Sequence, residues 1–197
     1  LIIFVGLLGF AAQETRQRHI GDLTPGFSEL WPDARYNRDI ADIVERFSIS
    51  ADALIVVVET PPDACIDDKT MQLVDRFSWA MRNVDGVNSV RSLPKSVRET
   101  SAIWREGNLK WVGLPHATSE LIQLTSPYDP STGLLNETCT VLPVVIYMND
   151  HKASSIETVI AAVKNFAATD AQAVARKDVN FRLAMGGIGI MAATNDV

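Results

Sequence analysis

Two runs of the chain are continuously apolar: Ala53–Glu59 (ALIVVVE) and Val141–Met148 (VLPVVIYM). The first is β-branched through its middle, the mark of a strand buried on both faces, and Pro61 and Pro62 end it. The second reads as another core strand. After each run the hydrophobic period changes to that of a helix. Leu73, Phe77, Ala80, Met81 and Val84 share one face of a helix that begins near Asp67 or Asp68, either of which can cap it, and Asp85-Gly86 stops it. Ile156, Val159, Ile160, Val163, Phe166 and Ala167 form the second stripe, and Ser154 with Glu157 has capping-box spacing. Each helix leads to a closing strand, Val87–Leu93 in the first unit and Val179–Met185 in the second. The two units repeat one plan at similar spacing. They predict an α+β fold, a ferredoxin-like βαββαβ sandwich built from a duplicated βαβ unit, with helices covering one face of a four-stranded antiparallel sheet. Repeat one spans 53–93, an insertion 94–140, and repeat two 141–186.

The remaining segments are less regular. Gly21–Asn37 is rich in turn formers and holds Pro25 and Pro32, so it reads as an extended lead-in. Ile40, Ile43, Val44 and Phe47 then predict a short amphipathic helix over Arg38–Phe47, capped by Asn37 or Asp39. The insertion is too long for a simple connection, which points to function or to structure of its own. Its stretch SVRETSAIWREGNLKW can form a helix, while TSELIQLTS is ambiguous. Leu1–Ala12 is the one membrane-like run. Twelve helical residues span roughly 18 Å, short of a bilayer core of about 30 Å. The run reads as the end of a transmembrane helix, with a targeting remnant or a buried helix as the alternatives.

Charge and chemistry narrow the function. A net charge of −6, with scattered basic residues, argues against a nucleic-acid partner. His19, His116 and His151 lack metal-ligand spacing and read as surface or hydrogen-bonded histidines. Gly186, Gly187 and Gly189 lack the spacing of a dinucleotide loop. No pattern calls for a catalytic residue, a metal or a cofactor. Asn136-Glu137-Thr138 fits a glycosylation sequon. Cys65 and Cys139 lie in loop-like sequence, each beside a predicted core strand. They are either two unrelated buried thiols or one disulfide in an oxidising compartment, and their placement makes the pairing plausible. With the first and third strands taken as adjacent and parallel, the insertion would have to carry Cys139 across the sheet edge. Phe27, Trp104, Trp111 and Tyr128 lie in connecting segments. They either fill the sheet's open end or offer a patch to an apolar ligand or partner, and Trp104, Trp111 and Tyr128 are the candidate contact residues.

GDLTPGFSELWPDARYN, VDGVNSVRSL, EGNLKW, YMNDHK and GIGIMAATNDV together resemble an extramembrane porter loop of the RND transporter superfamily, in its MMPL-like, predicted-exporter branch. The resemblance runs from about Gly21 to the end. It implies a transmembrane helix end and juxtamembrane segment at 1–20, a porter domain at 21–197, and an approach to the next membrane helix at 187–197. It implies an inner-membrane exporter, proton-driven, with this domain on the periplasmic or extracytoplasmic side, following the first membrane helix or, in preference, the seventh. The implied partners are the second porter loop and membrane helices of the same transporter, an oligomer of transporter subunits, and an apolar or amphiphilic substrate. The proton-relay carboxylates of such pumps lie inside membrane helices, so none is assigned here. Two other readings compete: a periplasmic lipid- or sterol-binding module without pump activity, and an acylphosphatase-like enzyme. TPPDACIDD offers acids and prolines where that enzyme needs a phosphate loop with Arg and Asn.

Overall fold

A computed structural model describes residues 4, 10, 31, 33–50 and 52–185. Phe27 and the glycines at 186, 187 and 189 lie outside the described residues, as does Leu1–Ala12 apart from Phe4 and Phe10. Among the described residues no helix is long and apolar enough to cross a membrane.

The elements run α1 (Arg35–Arg46), β1 (Ala53–Glu59), α2 (Asp68–Arg82), β2 (Val87–Arg91), α3 (Leu93–Ile103), α4 (Thr118–Thr125), β3 (Val141–Met148), α5 (Ala153–Thr169), α6 (Ala171–Ala175) and β4 (Asn180–Met185). Single 3-10 turns lie at Ala64–Ile66, Leu109–Trp111 and Pro130–Thr132. The chain is α+β, with one four-stranded sheet of order β2-β3-β1-β4 in which every neighbouring pair is antiparallel.

Among the described residues one face of the sheet is sealed and the other is only partly covered. Leu54, Val56 and Val58 on β1 and Leu142, Val144, Ile146 and Met148 on β3 are fully buried under α2 and α5. The alternate residues, among them Ile55, Val57, Val145 and Tyr147, are half-buried and stand outside that core. The expectation that β1 is buried on both faces is therefore corrected. Continuous apolar sequence marks a central strand, but it does not say what covers the second face. Pro143 lies beyond the end of β2, which pairs only with Val145–Met148, so one side of its backbone has no ladder neighbour and tolerates a missing N–H.

Phe77, Phe166 and Phe181 lock α2, α5 and β4 together, with ring centroids 4.8–5.7 Å apart. Asp67 caps α2 by accepting from the backbone N–H of Thr70 at 2.9 Å. Gly86, at φ +89°, closes the turn into β2, and its carbonyl accepts from the Asn149 N–H.

Several local expectations are corrected. α1 begins at Arg35, so Asn37 and Asp39 lie inside it, and Ala34 occupies the cap position without a side-chain bond. α5 begins at Ala153, one residue before Ser154, so no capping box forms there; instead Asp150 accepts from the Lys152 N–H. β2 stops at Arg91, because Pro94 in the first turn favours a new helix from Leu93.

Candidate functional site: the insertion and its exposed rim

The two cysteines meet. The structure forms the Cys65–Cys139 disulfide, with Cα atoms 5.5 Å apart. β1 and β3 are antiparallel, with Glu59 opposite Val141, so the exit of one strand lies beside the entry of the other. This corrects the parallel arrangement expected for the pair and removes the need for a long detour. Thr60 Oγ1 donates to the Cys139 carbonyl, and the backbone N–H groups of Thr60 and Asp63 donate to the carbonyls of Thr140 and Thr138. Asn136 completes the junction. Its Oδ1 accepts from the Thr140 and Val141 N–H groups, and its Nδ2 donates to the Thr138 and Thr140 hydroxyls. The side chain of the sequon is thus a structural clamp on the loop before β3.

The insertion also contributes to the core. Val97, Leu121, Leu124 and Leu134 are buried in the main cluster. The insertion therefore has structure of its own at those positions, packed into the core of the domain. Tyr128 shares that structural role. Its hydroxyl lies 2.6 Å from Thr100 Oγ1 and donates to the Ser96 carbonyl at 3.0 Å, which pins the end of α4 to α3.

Trp104 and Trp111 behave differently. They remain 55% and 45% exposed, on the rim where α3 turns into the 3-10 segment. The Arg105 guanidinium lies 4.5 Å over the Trp111 ring, the Lys110 ammonium lies 5.9 Å from it, and Arg105 pairs with Glu120. Ile103, 69% exposed, and Leu109, 84% exposed, extend the same rim. Sequence reasoning passed over these two because single aliphatic residues in a connecting segment carry no periodic signal. Tyr128 therefore does not join the two tryptophans as an exposed ring.

A second polar cluster sits at the start of α2. Burial pushes the Asp67 carboxyl up, but hydrogen bonds from the Thr70 hydroxyl and N–H, with Arg176 nearby, outweigh it and hold the group below its ordinary range. Arg176 also pairs with Asp178, and His116 Nδ1 lies 3.1 Å from Asp68. His151, almost wholly buried, lies 3.2 Å from Asp52. These groups tie loops to the sheet ends. Among the described residues there is no group of three His, Cys, Asp or Glu side chains arranged to hold a metal ion.

Comparison with known protein families, with curated proteins and with solved structures finds no match to this chain.

Proposed function

We propose that this chain is a ferredoxin-like porter loop of an RND-type exporter, held on the extracytoplasmic side of the membrane, where it guides apolar or amphiphilic substrate. The observation that carries the reading is the run of exposed apolar side chains Ile103, Trp104, Leu109 and Trp111 at the end of α3 and in the 3-10 turn after it. Large apolar side chains kept in water together, beside a sealed core, mark a contact surface. The sheet order β2-β3-β1-β4, with a helix joining β1 to β2 and another joining β3 to β4, supports the duplicated βαβ plan. The disulfide supports an oxidising compartment. A half-buried apolar sheet face supports a neighbouring domain, such as the second porter loop.

The test is the topology of the full-length protein. A periplasmic reporter enzyme fused after Asp178 should be active, and protease mapping should find two such domains, one inserted in each of two sets of membrane helices. A single anchor helix with no second domain would instead favour the passive lipid- or sterol-binding module. A reporter active only on the cytoplasmic side would remove both readings.

A further inference from the structure

The protein is acidic overall, yet one hollow is lined by three cations. It lies between α2, β2 and α3, has a volume of about 20 Å³, and is lined by Asp75, Trp79, Arg82, Val90, Lys95 and Arg98 among others. Each cation has a local structural duty. Arg82 stands in the last turn of α2, where positive charge complements the helix dipole. Lys95 donates to the Val90 carbonyl at 3.2 Å. Arg98 reaches both carboxylate oxygens of Asp75 through Nη1 and donates to the Val112 carbonyl through Nε.

Those duties leave donors over. A guanidinium carries five N–H groups and an ammonium three. The Nη2 group of Arg98 and the whole guanidinium of Arg82 have no partner among the described residues. Facing these cations are Asp75, which Arg98 engages, and Glu99, 4.0 Å from Lys95 at the edge. The first turn of α3 adds no acid. In a chain of net charge −6, an excess of positive charge around one hollow is a local reversal of sign. Trp79 lines the same hollow and is 60% exposed, so its indole forms an apolar wall outside the cations. The hollow holds little more than one or two water-sized atoms, so only the oxygens of a ligand fit inside and its body must lie outside.

We propose that Trp79, Arg82, Lys95 and Arg98 receive the anionic headgroup of an amphiphile, a phosphate or carboxylate with an apolar chain. This rests on the porter reading and names its substrate class. The headgroup oxygens take the spare donors of Arg82, Lys95 and Arg98, and the start of the chain lies on Trp79. Arg98 links this hollow to the exposed rim, since the carbonyl it holds belongs to Val112, next to Trp111. Along α3, Lys95 and Ile103 are about 12 Å apart at 1.5 Å per residue, a span that an apolar chain can follow from the headgroup to the rim.

The experiment titrates this chain with octyl phosphate, octyl glucoside and inorganic phosphate, each below its aggregation limit, and follows binding by calorimetry and by NMR. Octyl phosphate should bind at least tenfold more tightly than either of the others. The double variant Arg82→Gln/Lys95→Gln gives up the helix-dipole contribution of Arg82 and the Lys95–Val90 bond, so it should lower the melting temperature by no more than a few degrees while weakening octyl phosphate at least tenfold. Trp79→Ala should weaken octyl phosphate and leave inorganic phosphate unchanged. Equal affinity for octyl glucoside, or no loss in the double variant, overturns the headgroup site. Inorganic phosphate binding as tightly as octyl phosphate overturns the amphiphile and leaves a free-anion site. Any of these failures leaves the porter reading intact, because that reading stands on topology and export by the full-length protein.

Discussion

Phe77 stands where α2, α5 and β4 converge, fully buried and in contact with two other rings. Its replacement by alanine removes a large side chain from a site with aromatic walls that cannot fully collapse. Phe77→Ala should cost about 3–5 kcal/mol in denaturant unfolding; a loss under about 1 kcal/mol would mean that this cluster is not the centre of the core. Tyr128 tests a smaller effect. Tyr128→Phe keeps the ring and removes the hydroxyl shared by Thr100 and the Ser96 carbonyl, so it should cost about 1 kcal/mol and leave ligand contact untouched. Asp67 gives the pH dependence its sign. Its carboxyl titrates below the ordinary 3.8 in the folded state, so the unfolded chain binds that proton first. The contribution is fully present above the unfolded value and is lost as pH falls through the folded one. Asp67→Asn should flatten part of the acid limb of stability below about pH 4, measured as melting temperature against pH. A variant whose acid limb matches the parent would show that the cap contributes no pH dependence.

At the scale of elements, the disulfide ties the exit of β1 to the entry of β3 across a sequence separation of 74. In the chain-entropy account a loop of that length is worth roughly 4 kcal/mol. Oxidised protein should therefore unfold at clearly higher denaturant than the reduced form, and mass spectrometry of non-reduced peptides should find Cys65 joined to Cys139. Free thiols in exported protein would contradict the bridge. The strands and the two long helices were legible in the sequence because each spans enough residues for its hydrophobic pattern to repeat. Strand direction was not, since pairing is a non-local property. The direction assumed for β1 and β3 is what made the Cys65–Cys139 pair look distant. Helix starts were read from residue type alone, and Asn37, Asp39 and Ser154 lost because the chain enters α1 and α5 one to several residues earlier. α4 is only eight residues long, too short to show a stripe, so Leu121 and Leu124 gave little sign of their burial. The sequence offered Trp104, Trp111 and Tyr128 alike as candidate contact residues and could not separate the two exposed tryptophans from Tyr128, whose hydrogen bonds arise only when α3 and α4 meet.

At the scale of the molecule, one face of the sheet and the body of the insertion are committed to the core, while the rim at Ile103, Trp104, Leu109 and Trp111 is not. Burial accounts for the first group. Burial does not account for the rim; Trp111 gains only the cations of Arg105 and Lys110 over its ring, and the proposed function assigns the exposed side chains to contact with substrate. The measurement that tests this most directly is export by the full-length protein carrying Trp104→Ala and Trp111→Ala, read beside the melting temperature of the same variants in this domain. The account predicts a clear fall in export with a melting temperature within a few degrees of the parent. Unfolded variants would place the tryptophans in the core. Variants that fold normally and export normally would contradict the account outright.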